Sequence, residues 1–357
     1  MRAFRGLSLP LLNSARGGGF ANEAIPWAKA FIGAQELGLH CLHPAWGLNR
    51  RGYSRDFGTS RLDSVVHPAL RLALPTVRIT HEMVRGTGET DYALALRALS
   101  RELELPRGRP VVVTHETMHG GWIGVRRARS FLHGELVRPP HVAGDLYRIG
   151  NMLDPQKLTI GVHLRFGDFA RGDGGPQPGI YNMSLPDPWY EGVVGALLDT
   201  FPDRAQALLV TDGPDEPVVR RLLERDGVLL PPRRRLPLLS DLASLASADV
   251  LVCSVSAFSQ LAAFLSDSPY LWFDRHLNDH GGWRSIWGHE AKEQGPTGLT
   301  ARNLADAATS EDAVWGRGFG ADDSGRIPTA LADLLERRLS LKRRKRDLIY
   351  SGVVRST

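Results

Sequence analysis

Apolar positions along this chain follow two periods that trade places. Residues 7–12 form a short apolar run of strand length, and a glycine-rich stretch over 14–19 separates it from Trp27, Phe31, Ala34 and Leu37. Their three-and-four spacing is the stripe of a helix that Gly38 ends. Asn22 is placed to cap that helix, with Pro26 near its start. Residues 39–42 predict a second strand. Tyr92, Leu96, Leu99 and Leu103 predict another helix, and a strand at Val111 to Val113 follows the turn over 107–110. Asp154-Pro155 breaks the chain. Beyond it Leu158, Ile160 and Val162 alternate like a half-buried strand. After a loop containing 171–179 come a helix over 188–201, a strand over 207–211 and a turn at Asp212-Gly213-Pro214. A helix with Val219, Leu222 and Leu223 leads to a strand over 228–230, a short helix over 240–246 and a strand over 250–253. A helix over 256–265 and a strand over 270–273 complete the series. Such alternation predicts parallel sheets covered by helices on both faces, with a domain boundary near Asp154. Beyond Asp274 the pattern loosens, until Leu331, Leu334, Leu335 and Leu339 mark a final helix over 330–346.

Length and composition narrow the class. A chain of 357 residues suits two domains, and 42% hydrophobic with 23% charged residues is globular. No apolar window reaches membrane-spanning length, and the start of the chain reads as a strand because Pro10 interrupts its apolar run. Two cysteines, Cys41 and Cys253, stand far apart in apolar contexts, which argues against a disulfide framework or a cysteine metal site and for a cytoplasmic protein. The net charge of +5 is local, in Arg233 to Arg235 and in Arg337 to Arg346. Without a repeat or a recognition-helix pattern, nucleic acid is not an expected partner. The basic tail leaves two readings: a helix lying on an anionic membrane through 337–346, or leucines packed on the protein with solvated charges at the helix end.

Candidate chemistry gathers at two strand ends. His115-Glu116-Thr117-Met118-His119 matches the zinc pattern H-E-x-x-H, which needs both imidazoles on one helix face. Here β-branched residues precede it and Gly120-Gly121 follows, so the context predicts a loop after a strand. The other strand runs into His163, Arg165, Gly167 and Asp168. An arginine at the carboxyl end of a parallel strand is well placed to hold phosphate through its planar fork; the competing reading is a salt bridge to Asp168. Gly17-Gly18-Gly19 lacks the spacing of a dinucleotide fingerprint and reads either as a tight turn or as an anion loop.

Taken in order, these pieces resemble the GDP-fucose-dependent fucosyltransferases, especially the protein O-fucosyltransferases and, more distantly, the bacterial α1,2 and α1,6 enzymes. His163-Leu164-Arg165-Phe166-Gly167 is similar to the family's H-L-R-x-G motif, and Leu209-Val210-Thr211-Asp212 to its apolar strand ending in Thr-Asp. Ser240-Asp241-Leu242, Ala248-Asp249 and Ser254-Val255-Ser256-Ala257-Phe258 resemble the third signature. Gly19-Phe20-Ala21-Asn22-Glu23 resembles the glycine-rich G-N-Q segment, with Ala21 and Glu23 replacing its last two residues. Residues 40–150 match no part of the family that we can name.

The resemblance implies an α/β fold of the GT-B type, two Rossmann-like domains with parallel sheets facing a central cleft. Its divisions would be an acceptor-side domain over 1–154, a nucleotide-sugar domain over 155–326, and a basic helix and tail over 327–357. The implied activity is inverting transfer of a sugar, fucose in the family, from a GDP-sugar to a glycan, lipid-linked glycan or protein hydroxyl, with no metal or other cofactor. No D-x-D metal clamp occurs in the chain. Carried onto this sequence, Arg165 would bind the β-phosphate with help from Asn22. Gly18, Gly19, Phe20, His163, Asp241, Ser256, Ala257 and Phe258 would surround the donor, Ala257 offering only its N–H. Glu23 is the candidate general base, because Asp168 sits beside Arg165 on the donor side; a first-turn glutamate offsetting the helix dipole is its other reading. Two alternatives stand beside this one: a nucleotide-sugar or glycan-binding protein that has lost catalysis, and a zinc hydrolase built on His115, Glu116 and His119.

Overall fold

The computed structural model describes residues 5–11, 19–59, 62–100, 102–106, 108–116, 120–169, 183–280, 283–286 and 318–350. The chain is an α/β protein of two compact units, Met1–Val142 with Asp279–Thr309, and Ala143–Asn278 with Ser310–Thr357.

The first unit is built on four parallel strands, β1 (Gly6–Pro10), β2 (His40–Cys41), β3 (Thr76–Ile79) and β4 (Val111–His115), in the order β2-β1-β4-β3. Buried Leu7, Leu9 and Val112 form the heart of the sheet. Helix α1 (Phe20–Leu37) begins two residues before Asn22, so Gly19 is its N-cap and Pro26 lies inside it. Burial of nearly the whole first three turns, Trp27 and Ile32 included, offsets the bond that proline removes. Helices α2 (Tyr53–Asp56), α3 (Asp63–Ala73), α4 (His81–Gly86) and α5 (Tyr92–Leu99) follow, then α6 (Gly121–Gly124), α7 (Arg129–Val137) and α8 (Pro140–Gly150). Strand β3 and helices α3, α4, α7 and α8 fall in the stretch without family resemblance, where periodicity alone had not marked them. Trp46 stacks on Phe57 at 5.1 Å and Phe31 on Phe131 at 4.0 Å, aromatic contacts that fill the space beside α1.

Six parallel strands make the second unit: β5 (Leu158–Leu164), β6 (Ala205–Thr211), β7 (Val228–Leu229), β8 (Val250–Val252), β9 (Tyr270–Phe273) and, after a separate pair β10 (Asn278–His280) and β11 (Trp283–Ser285), β12 (Gly318–Ala321). Their order, β12-β9-β8-β5-β6-β7, has the Rossmann winding: the chain builds outward from β5 in one direction, then returns and builds outward in the other. Helices α9 (Asp187–Thr200), α10 (Pro217–Leu223), α11 (Pro237–Ala246) and α12 (Ala257–Leu265) make the crossovers. The topological switch point therefore lies between β5 and β8, which pair from Ile160 to Val162.

Most of α8 groups with the second unit, which begins at Ala143. The physical reason is side-chain bonding: Asp145 on α8 accepts from Ser240 Oγ at 3.0 Å. Helix α13 (Thr329–Tyr350) groups with the same unit. Its Leu331, Leu335 and Leu339 are buried, Arg338 donates to Ser268 Oγ and the Asp267 carbonyl, and Lys342 pairs with Asp249. These leucines of the final helix pack on the unit, while Leu341 is exposed. No helix among the described residues is long and apolar enough to cross a membrane.

Candidate functional site

At the switch point the carboxyl end of β5 delivers His163 beside the loop that joins β8 to α12. Nδ1 of His163 lies 2.7 Å from Ser259 Oγ and 2.9 Å from Ser254 Oγ. Ser254 Oγ in turn donates to Ser256 Oγ, the N-cap of α12, which accepts from the Ser259 N–H. Burial, and secondarily the Arg165 charge, push the imidazole down to about 3, so it stays neutral at physiological pH. Its ring is 4.9 Å from Phe258, and Ala257 and Phe258 are both partly exposed on the first turn of the helix.

Just past β5, Arg165 keeps a quarter of its side chain exposed. Nη2 donates to Asp168 Oδ1 and Nη1 pairs with Asp212 Oδ2, each at 2.6 Å, while the guanidinium lies 5.5 Å from the Phe169 ring. The salt bridge to Asp168 is therefore real, and a second carboxylate joins it. Asp212 also accepts from the Phe166 N–H at 2.9 Å, tying the turn after β6 to the loop after β5. Gly167 makes this approach possible: a Cβ there would sit 2.5 Å from Asp212 Oδ2. Among the described residues no other acceptor takes the remaining guanidinium N–H groups.

Asp241, on α11, is engaged by a partner. Arg234, itself buried, donates to its carboxylate at 2.5 Å and to Ser240 Oγ at 3.0 Å. Burial pushes the Asp241 carboxyl up to about 6; Arg234 opposes the shift and nearby Asp145 adds to it.

In the first unit, Gly19 accepts from the Asn22 and Glu23 N–H groups as the helix starts. Asn22 is half-buried, Glu23 wholly buried, and Phe20 is inside the aromatic cluster with Trp46, Tyr53 and Phe57, at centroid distances of 5.6 to 5.8 Å. Phe20 thus belongs to the core and is withdrawn from a ligand. Gly18 lies outside the described residues, as does His119. The zinc pattern fails on its remaining members. His115 ends a strand, and both its nitrogens are committed, Nε2 to Ser8 Oγ at 2.8 Å and Nδ1 to Tyr92 OH at 2.6 Å. Glu116 pairs with Arg78. No metal-holding group of His, Cys, Asp and Glu exists among the described residues.

Sequence reasoning named Ser254 only as part of a motif, and missed Ser259, Arg234 and the bond between Arg165 and Asp212. Ser256-x-x-Ser259 has N-cap spacing and was a usable signal. The Asp212 contacts follow only from tertiary folding, whereas Arg234 reaches Ser240 and Asp241 six and seven residues further along the chain.

Several solved structures that it resembles are glycosyltransferases. A fucosyltransferase NodZ from Bradyrhizobium is 15% identical, with 77% of this chain and 96% of that chain covered and a TM-score of 0.47. NodZ α-1,6-fucosyltransferase co-crystallized with GDP is 15% identical over 80% and 98% of the two chains, also at 0.47. E. coli heptosyltransferase WaaC with ADP is 14% identical over 95% and 100%, at 0.39. No protein-family model matches the chain, and no curated protein matches it significantly.

Proposed function

We propose that this protein is an inverting glycosyltransferase of the GT-B type that takes its sugar from a GDP-sugar, GDP-fucose by the motif resemblance, and passes it to a glycan or lipid-linked glycan in the cytoplasm. The observation that carries the reading is the juxtaposition of Arg165 with His163 and the serine-capped start of α12 at the switch point of a Rossmann-order sheet. Ligands of such sheets bind there. Breaking the sugar–phosphate bond places growing negative charge on the diphosphate. A guanidinium fork and the exposed N–H groups of a helix start are fixed donors suited to meet it. His163, neutral and anchored through Nδ1, adds no charge to this corner. Asp168 and Asp212 hold the guanidinium in the plane it needs, and a bound diphosphate competes with them for its N–H groups. Metal-independent transfer is part of the proposal, because fixed donors of this kind can meet the charge that a cation would otherwise meet.

For the general base, complete burial of Glu23 favours the other reading, a first-turn carboxylate at the positive end of the α1 dipole. Glu23→Gln decides: a base loses turnover by about 10² to 10⁴ with donor affinity kept, a helix-start residue loses a little stability alone.

A melting-temperature screen with GDP, UDP, CMP and ADP tests the donor site, since a ligand that binds only the folded state raises stability with its concentration. GDP should give the largest shift, and no shift with any of them sinks the proposal. One observation favours the second reading, a binding protein without catalysis: two carboxylates already engage the Arg165 guanidinium. Labelled GDP-fucose with a panel of acceptor glycans separates the two, since a GDP shift without transfer or donor hydrolysis identifies the binder.

A further inference from the structure

Helix α3 faces the wrong way for a core helix. At roughly 100° per residue, Leu62, Val65, Val66, Ala69, Leu72 and Ala73 share one continuous face, and all six are exposed. Leu72 is 89% exposed, Leu62 68% and Val65 67%. With Leu48, in the 3₁₀ turn Trp46–Leu48 on which α3 packs, they make up half of the exposed large apolar side chains among the described residues. The helix is nonetheless firmly seated: buried His67 is on its opposite face, and Leu70 and Leu74 pack on the cluster of Leu7, Leu9 and Val112. Its orientation is therefore set by the core, and the apolar face is left over.

The surroundings say what covers it. Residues 48–72 carry Arg50, Arg51, Arg55, Arg61 and Arg71 against only Asp56 and Asp63, with no lysine or glutamate. Arg50, Arg51, Arg55 and Arg71 are exposed, whereas Asp56 is buried and its carboxyl is pushed up by that burial. A convex apolar ridge within an arginine-rich segment matches the boundary of an anionic bilayer, where side chains enter the acyl region and guanidinium groups meet headgroup phosphates. A second copy of the chain would bring the same arginine-rich segment against itself, a like-charge contact that opposes association.

We propose that α3 is a membrane-surface anchor that lays the first unit on anionic phospholipid. The claim stands apart from the glycosyltransferase reading, because it needs no substrate to be tested. Full-length protein is floated with phosphatidylcholine vesicles, with and without phosphatidylglycerol. Binding to the anionic vesicles is expected, weakened by high salt, and the Val65→Glu/Leu72→Glu double variant should bind about tenfold less or weaker still. Both positions are exposed, so its melting temperature should match the parent; if the pair fails to fold, Leu72→Ser alone replaces it. Leu341→Glu, on the exposed side of α13, should bind like the parent. No binding by the parent, equal binding by the α3 variant, or loss with Leu341→Glu alone overturns the proposal. So does a parent dimer on size exclusion that the α3 variant splits without any vesicle binding.

Discussion

Two histidines end the central strands of the two sheets, and their fates differ. His115 closes β4 and His163 lies one residue from the end of β5; both are buried, both are pushed down to about 3, and both bond to serine hydroxyls. His115 is sealed. Ser8 Oγ donates to the Ala30 carbonyl, so it accepts from His115 Nε2–H, and Nδ1 is left to accept from Tyr92 OH. Gly33 sits so close that a Cβ there would come within 2.2 Å of the imidazole Cε1. The His163 imidazole is hydrogen-bonded among the described residues through Nδ1 alone, next to an arginine and a partly exposed helix start. Neither residue type nor burial tells the two apart. The groups just beyond the strand do.

The largest expected effect falls on the open strand end. Arg165→Lys keeps a charge but loses the fork, and turnover with a GDP-sugar should drop by about 100-fold or more. Near-normal turnover in a steady-state assay of the lysine variant would show that no phosphate clamp exists there.

The two histidines should look alike to protons and unlike to nucleotide. Each has a folded-state value depressed below its usual 6.5, so the stability it contributes is present above that pH and lost as pH falls towards about 3. Between pH 7 and pH 5 each should cost about 2 kcal/mol. Denaturant titrations at the two pH values should show His115→Gln and His163→Gln removing similar parts of that slope. The GDP-induced melting shift should survive only in the His115 variant. Equal retention in both erases the proposed difference.

Asp241 should run in the opposite sense. Its folded value is raised from 3.8 to about 6, so its contribution is fullest below 3.8 and is lost as pH rises through 6. Relative to Asp241→Asn, the parent should gain about 1 kcal/mol between pH 7 and pH 5. A flat difference means that Arg234 keeps the carboxylate ionised throughout.

The smallest effect is none. Saturating EDTA should leave the transfer rate unchanged, because Arg165 and backbone donors are assigned the charge stabilisation. Loss of rate that zinc or another divalent ion restores would reopen the metal readings.

Local periodicity was sufficient for the alternation of strands and helices in the second unit. A strand's period of two and a helix's near four are written in neighbouring residues, and β5, β6, β8, β9 and their crossovers fall within a few residues of where the pattern puts them. His163 and Arg165 at a strand end were legible for the same reason. The first unit was less so, because β2 and β3 are short, and the start of α1 moved once Phe20 and Pro26 found places in the core.

Tertiary structure decided what no window contains. Asp212 reaches Arg165 from the end of the neighbouring strand, and Ser254 and Ser259 reach His163 from another strand's loop, each because parallel pairing sets strand ends side by side. The same lesson separates two helices. α13 and α3 both carry an apolar stripe, and a stripe says only that one face is apolar. The stripe of α13 is buried and that of α3 is exposed, because burial depends on what the rest of the fold brings to that face, a quantity with no period along the chain.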